Sequence, residues 1–182
     1  YAMLRVVLAL CLFCSFYAVA QSDTTITLQA ITGLQYDLAR FAVKPNQKVT
    51  IVFKNEDDMA HNLVFTLPDK RLSVVEAAIK MGDKGQAANY VPASSGVLAA
   101  SKILIPNTTE KLSFTVPSVE GVYPYVCTYP GHGYVMYGAM YVTTKPLPPL
   151  ATDTNIPPSR QGLERVVSSP HPFPLEYPLL YR

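Results

Sequence analysis

Four side chains that commonly bind soft metal ions occur in two short stretches of the sequence. Cys127, His132 and Met136 lie on one loop, CTYPGHGYVM, and His61 lies far earlier, in MAHNLVF. Two imidazoles, a thiolate and a weakly bound thioether are the ligands of single-copper electron-transfer sites. The four residues therefore predict one copper ion bound between this loop and the His61 segment.

Each of these residues also has a simpler interpretation. A buried cysteine is most often a small apolar side chain, and His61 or Met136 taken alone could belong to an ordinary core. Zinc is the nearest rival metal, because a site of two histidines and one cysteine can hold it. A binuclear copper centre needs two cysteines in the loop, where the sequence has only Cys127.

The first twenty residues have the pattern of a secretory signal peptide. A cationic start, MLR, precedes the apolar VVLALCLFCSFY, and AVA places small residues before a cut between Ala20 and Gln21. An uncleaved anchor is the alternative, but the stretch is short for a membrane span of ~20 residues. We expect residues 1–20 to be removed, no membrane span to remain, and the protein to be periplasmic or secreted.

Removal of the leader changes the count of cysteines. Cys11 and Cys14 leave with it, and Cys127 remains without a partner for a disulfide. An unpaired cysteine in an oxidising compartment reacts unless it is buried or bound to a metal. This supports the interpretation of Cys127 as a ligand.

Residues 21–145 are typical of an all-β domain. Turn signals such as KPNQ, PNTT and PSVEG separate short β-branched and aromatic runs, which predicts a β-sandwich or barrel. The predicted strands are TTITLQAI, KVTIVFKN, HNLVFTL, SKILIP, EKLSFTV, VYPYVC and GAMYVTT. One segment, DKRLSVVEAAIKMG, has apolar residues at helical spacing and predicts a helix ending at Gly82, within a long connection from about Pro68 to Leu98.

The composition changes after Lys145. Residues 146–182 contain nine of the sixteen prolines, which lack N–H donors and favour extended backbone. The apolar residues near the end of the chain would form an exposed patch if left bare. We expect a Pro-rich extended tail or linker that packs on the sandwich, on a partner or on a downstream domain, away from the copper loop.

Composition and motifs exclude several functions. The net charge of +2 gives no basic surface for nucleic acid. GxSxG, CxxCH and phosphate-binding glycine loops are absent from the sequence. Four ligands would also leave copper no open position for a substrate, so we expect no catalytic residues and no enzyme activity.

The sequence resembles the azurin group of the cupredoxins, from about Thr24 to Lys145. The resemblance is carried by MAHNLVF at 59–65 and by CTYPGHGYVMYGAM at 127–140, which has the family's Cys-x4-His-x3-Met spacing. It implies a Greek-key β-sandwich with one helix in a long connection. Azurins proper have an N-terminal disulfide, for which this sequence lacks the cysteines, so an azurin-like module is expected.

The resemblance also implies a role for each site residue. His61 and His132 would bind copper through ring nitrogens and Cys127 through its thiolate, with Met136 as the axial thioether. The backbone carbonyl of Ala60 would lie near the opposite axial position, as a weak ligand.

Two further residues are expected around the ligands. The side chain of Asn62 would brace the ligand loop by hydrogen bonds. The backbone N–H groups of Asn62 and Tyr129 would point at the sulfur and raise the reduction potential.

These roles predict a type 1 copper protein that transfers single electrons between redox partners outside the cytoplasm. The partner would be a cytochrome, another haem protein or an oxidoreductase, docking on an apolar patch of Tyr134, Val135 and Tyr137, with Met59 and Leu63 nearby. Alternatively, the chain is a copper relay domain or subunit of a larger, possibly haem-binding, oxidoreductase. Copper sequestration without electron transfer is a third hypothesis.

Overall fold

A computed structural model describes residues 23–161, which form two β-sheets with a shared core. The signal-peptide prediction and the tail prediction for residues 162–182 lie outside this range. Within it, the strands are β1 Thr24–Ile31, β2 Gln35–Tyr36, β3 Arg40–Val43, β4 Lys48–Asn55, β5 Val64–Thr66, β6 Val97–Ala100, β7 Thr109–Thr115, β8 Gly121–Val126 and β9 Tyr137–Val142. No helix in this range is both long and apolar enough to span a membrane.

The strands are arranged as a Greek-key β-sandwich, which confirms the predicted fold class. One sheet has the order β2-β1-β4-β7 and the other β3-β9-β8-β5-β6. The pairs β1–β4 and β3–β9 are parallel, and the remaining pairs are antiparallel. Alternate residues of β4 are buried, because one face of its sheet meets the core and the other meets solvent.

Large aromatic side chains fill the space between the sheets. Tyr36 and Tyr125 meet edge to face, with ring centroids 5.4 Å apart, and Phe53 and Phe65 pack beside them. Both tyrosine hydroxyls are buried and donate hydrogen bonds of 2.7 Å, Tyr36 to the carbonyl of Asn62 and Tyr125 to the carbonyl of Leu38, just before β3. The core therefore contacts the His61 segment directly.

The predicted helix exists but is shorter than predicted. Helix α1 covers Arg71–Ile79 and buries Val74, Val75 and Ala78. The predicted end at Gly82 is wrong, because a separate 3-10 turn begins there and Gly82 takes a positive φ of 51°. Glycine adopts this left-handed conformation readily, so it changes the chain direction just beyond the helix.

Some strand predictions were also wrong. SKILIP is not a strand: the strand at this point is β6, which precedes it, and Leu104 alone forms an isolated bridge with His61. Strands β2 and β3 were missed because they are short, and β3 is defined by pairing with β9 almost one hundred residues later. By contrast, TTITLQAI and KVTIVFKN match β1 and β4 residue for residue.

The described part of the tail, residues 146–161, lies on the outer face of the five-stranded sheet, and we call it the strap. Ile156 is buried against Ala39, Ala139 and Tyr141, and Leu147 and Leu150 pack at the margin. The strap is not extended throughout, since it contains short 3-10 turns at Leu150–Thr152 and Pro158–Arg160. It covers apolar side chains that β9 would otherwise expose.

Buried polar contacts fasten the strap to the sheet. The carboxylate of Asp153 accepts hydrogen bonds from the Arg40 guanidinium at 2.9 Å and from the Tyr141 hydroxyl at 2.7 Å. Further along, Arg160 donates to the side-chain oxygen of Gln35 and to the carbonyl of Asp37, each at 2.8 Å. The strap therefore runs antiparallel to residues 35–43.

This network predicts that replacing Asp153 lowers the free energy of unfolding far more than replacing Asp23. Asp153→Ala leaves the buried Arg40 without its carboxylate, and we expect the free energy of unfolding to fall by about 3 kcal/mol. Asp23→Ala removes an exposed ion pair to Lys48, with side-chain exposures of 62% and 59%, and should cost less than ~1 kcal/mol. Urea denaturation of both variants measures the difference, and equal losses would contradict this account of the strap.

Candidate metal centre

The four predicted ligand residues come from two loops at one end of the sandwich. Strand β8 ends at Val126, and the loop from Cys127 to Met136 connects it to β9. His61 lies just before β5 and is held by a pair of backbone hydrogen bonds to Leu104, of 3.1 and 2.8 Å. Because β5 and β8 are neighbours in the sheet, His61 is brought beside Cys127.

Three donor atoms converge at this point. The sulfur of Cys127 lies 3.7 Å from Nδ1 of His61 and 3.6 Å from Nδ1 of His132, and the two nitrogens are 3.2 Å apart. The point equidistant from all three atoms is about 2 Å from each, which is the length of a typical metal–nitrogen bond. The three residues would therefore fit one small metal ion.

Met136 and Ala60 lie beside these donors in the chain. Met136 is fully buried in the same core cluster as Cys127. Its N–H donates to the carbonyl of His132 at 2.9 Å, and its carbonyl accepts the N–H of Cys127 at 3.0 Å. Ala60 is half-buried next to His61. The ligand roles of the Met136 thioether and the Ala60 carbonyl stay predictions.

Glycines allow the loop to turn tightly around the donors. Gly131 has a φ of 84° and precedes the 3-10 turn His132–Tyr134. A Cβ added to Gly133 would lie 2.5 Å from a methyl carbon of Val75 and 2.8 Å from the carbonyl of Cys127. Only glycine permits this close approach, which packs helix α1 directly against the turn that carries His132.

Arg71 strengthens the contact between helix α1 and the loop. Its guanidinium donates to the carbonyl of Gly133 at 3.0 Å and lies 3.8 Å from the ring centroid of Tyr137. Burial lowers the pKa of Arg71 from its ordinary value, and Tyr137 partly offsets that effect. Through Arg71, helix α1 therefore contacts the chain at Gly133 and at Tyr137, on either side of Met136.

The Asn62 side chain joins the two ligand-bearing segments. Its oxygen accepts the N–H of Thr128 at 2.8 Å, and its amide group donates to the Thr128 hydroxyl at 2.8 Å and to the carbonyl of Asn89 at 2.7 Å. Asn62 follows His61 and Thr128 follows Cys127, so these bonds fix the spacing of the two donors.

Burial determines the protonation state of the sulfur in the absence of metal. Cys127 is fully buried, which raises the pKa of its thiol to about 11 although the backbone N–H groups of Asn62 and Tyr129 act in the opposite direction. Both N–H groups therefore interact with the sulfur. The thiol is neutral at physiological pH and must lose its proton before it can bind a metal.

His132 is buried except for a small part of its surface. Its exposure is 8%, compared with 0% for His61 and 0% for Cys127. Burial, together with the proximity of His61, lowers the pKa of His132 below its ordinary value. Its imidazole is therefore neutral at pH 7, which leaves a ring lone pair available to a metal.

One polar residue at the centre was missed in the sequence. Asp57 is buried, and its Oδ2 lies 2.8 Å from Nε2 of His61. Burial alone would raise the pKa of this carboxyl, but hydrogen bonds from His61 and from the backbone N–H of Asp58 lower it overall. The only signal was an acidic run, EDD, shortly before His61, and it does not show which carboxylate turns inward.

The surface above the centre differs in part from the predicted patch. Tyr134, Val135 and Met59 are 51%, 52% and 41% exposed. Leu63 was placed in the patch wrongly: it is fully buried, because it points into the core from the segment that leads to β5. Tyr137 is half-buried beneath Arg71.

Comparisons with known proteins agree with this geometry. Residues 23–143 match the copper-binding proteins of the plastocyanin/azurin family. Auracyanin-A of Chloroflexus aurantiacus is 34% identical over 110 residues, which are 60% of this chain and 67% of that protein.

Two structures of auracyanins share the fold. Auracyanin A, a "blue" copper protein from Chloroflexus aurantiacus, superposes with a TM-score of 0.61 at 32% identity, covering 67% of this chain and 100% of the other. Dithionite-reduced auracyanin of Roseiflexus castenholzii gives a TM-score of 0.59 at 34% identity, covering 67% of this chain and 98% of the other.

The sandwich and its three converging donors define a single-metal protein of the cupredoxin type. The chain belongs to the plastocyanin/azurin family of copper-binding proteins, and its cofactor is copper rather than zinc. The resemblance recognised in the sequence is thereby confirmed.

The protonated thiol predicts that metal binding releases a proton. At pH 8 the Cys127 thiol, with a pKa of about 11, is protonated, and the thiolate forms only on binding. We expect release of about one proton per copper ion, because metal ligands must be deprotonated. Calorimetry in buffers of different ionisation enthalpy measures it. Cys127→Ser should release none, and equal release from both proteins would contradict the assignment.

Proposed function

We propose that this protein is a type 1 copper electron carrier that transfers single electrons between redox proteins outside the cytoplasm. The convergence of the Cys127, His61 and His132 donor atoms is the observation that carries the proposal. These donors are buried at one end of a rigid sandwich and match the ligand set of blue-copper sites.

Each residue has a distinct role in this proposal. His61 and His132 would bind copper through Nδ1 and Cys127 through its thiolate, with the Met136 thioether as a weak ligand and the Ala60 carbonyl as a still weaker one. Bound copper supplies a one-electron Cu(II)/Cu(I) couple. The N–H groups that interact with the Cys127 sulfur disperse its negative charge, which supports the predicted rise in reduction potential.

The chain holds the donors in place by itself, which favours electron transfer. The bonds between Asn62 and Thr128 fix the His61 segment to the Cys127 loop. Helix α1 and Arg71 fix the turn that carries His132. A ligand frame set by the fold rather than by the metal would change little between oxidation states, so little energy is spent on rearrangement.

Electrons would pass through His132. It is the one donor of the three with part of its surface exposed. The exposed side chains of Tyr134 and Val135 follow it directly and form an apolar contact surface. With a net charge of +2, docking would depend mainly on this surface and only weakly on salt.

The partner is proposed to be a redox protein, such as a cytochrome, another haem protein or an oxidoreductase. Export to the periplasm or beyond is proposed from the leader pattern of residues 1–20. An oxidising compartment suits a chain whose one cysteine outside the leader is buried among histidines.

The role of the axial ligand can be tested by substitution. Met136→Leu should keep the intense visible charge-transfer band of the Cys127 thiolate and raise the reduction potential, because loss of a thioether disfavours Cu(II). Cyclic voltammetry and absorption spectra measure both, with Cys127→Ser as the variant that loses the band. If the potential stays that of the wild type, Met136 is only a core residue.

The proposed contact surface can be tested with a matched pair of substitutions. Val135→Lys places a charge beside His132, and we expect electron self-exchange to slow at least tenfold, since two like charges would face each other at the contact. Val119→Lys makes the same change at a residue 68% exposed before β8, at the other end of the sandwich. NMR line broadening of mixed oxidation states measures the rates, and equal slowing would refute the surface.

A further inference from the structure

A buried carboxylate contacts the second ring nitrogen of His61. Nδ1 of His61 faces the other two donors, while Nε2 lies 2.8 Å from Oδ2 of Asp57. Both side chains are removed from solvent, with exposures of 0% and 1%. A carboxylate on the far nitrogen of a metal-binding imidazole fixes its tautomer and increases its basicity.

The local hydrogen bond of Asp57 does not by itself explain this contact. Oδ1 of Asp57 accepts the N–H of Asp58 at 2.9 Å. The bond with His61 uses the other oxygen, Oδ2. An Asn side chain could accept the N–H of Asp58 equally well, so the local bond needs neither a second carboxylate oxygen nor a negative charge.

Hydrogen bonds of the neighbouring Asn55 side chain hold Asp57 in place. Asn55 accepts the N–H of Asp57 at 3.0 Å, and its amide group donates to the carbonyls of Met59 at 2.7 Å and Leu104 at 2.9 Å. Leu104 in turn pairs with the backbone of His61. The carboxylate and the imidazole are therefore positioned by one continuous set of bonds.

We propose that Asp57 is a positioning and tuning residue that acts through His61. It keeps the proton of His61 on Nε2, so that the lone pair of Nδ1 faces Cys127 and His132, and its negative charge favours the oxidised centre. This inference rests on the proposed function, in which His61 is a copper ligand.

The direction of the effect follows from charge. Cu(II) carries one more positive charge than Cu(I), and a buried carboxylate interacts with it through a medium that screens poorly. Asp57 therefore stabilises the oxidised state more than the reduced state and lowers the reduction potential. This opposes the N–H groups of Asn62 and Tyr129 at the sulfur, so the potential reflects a balance of two opposing effects.

Asp57→Asn removes the negative charge but keeps the shape of the side chain. The amide oxygen can still accept the Nε2–H of His61, while the negative charge is lost. We expect affinity for Cu(II) to fall about tenfold more than affinity for Cu(I), which raises the potential by ~59 mV for a one-electron couple. Voltammetry and competition with chelators measure these quantities separately.

Asp58→Asn is the matched control. It removes the same charge one residue along the chain, where the side chain is exposed. Solvent screens that position, so its potential should move by less than a third of the Asp57→Asn shift. Equal shifts in the two variants, or no shift in either, would overturn the tuning role.

A measurement on the wild type tests the positioning role without any variant. In metal-free, ¹⁵N-labelled protein, the shifts of the two ring nitrogens should show His61 protonated at Nε2, with a slowly exchanging proton. A proton on Nδ1 would overturn the proposal, even if Asp57→Asn fails to fold. Because no copper is present, this result is independent of the proposed function, which fails instead if copper-loaded wild type lacks the visible band.

Discussion

The structure depends on holding three metal-binding atoms close together in the buried core. The sulfur of Cys127 and the Nδ1 atoms of His61 and His132 lie 3.2 to 3.7 Å apart. Polar atoms removed from water cost free energy unless they find partners. The rest of the fold must therefore prevent these side chains from turning away from one another.

Two sets of contacts hold the His61 segment beside the Cys127 loop. The pairing of β5 with β8 sets the coarse distance between His61 and Cys127. Asn62 then sets the fine distance, since its side chain bonds to both the hydroxyl and the N–H of Thr128. These contacts are all made by protein groups, so the fold itself sets the spacing of the donor atoms.

Much of the centre could be predicted from the sequence because its signals are local. The spacing of Cys127, His132 and Met136 lies within one loop, and His61 with Asn62 forms a short motif. Asp57 could not be singled out, because its orientation depends on the hydrogen bond that its N–H donates to the Asn55 side chain, and Glu56 and Asp58 are chemically similar neighbours. Adjacent acidic residues differ in their environment only once the backbone directs one of them into the core.

The strands also differ in whether nearby or distant residues determine them. Strands β1 and β4 were predicted residue for residue because their alternation is visible in the chain. Strand β3 was missed because it is formed by pairing with β9. Leu63 was placed on the surface wrongly, since an apolar residue near a site looks the same in sequence whether it faces the partner or the core.

The strap has a consequence for where this domain can be shortened. The match to the copper-binding family covers residues 23–143, whereas the outer face of β9 is covered by Ile156, which lies beyond that range. A protein trimmed to the matched residues would keep His61, Cys127, His132 and Met136 but would expose Ala39, Ala139 and Tyr141 to solvent. An uncovered apolar face of this kind favours association with another molecule.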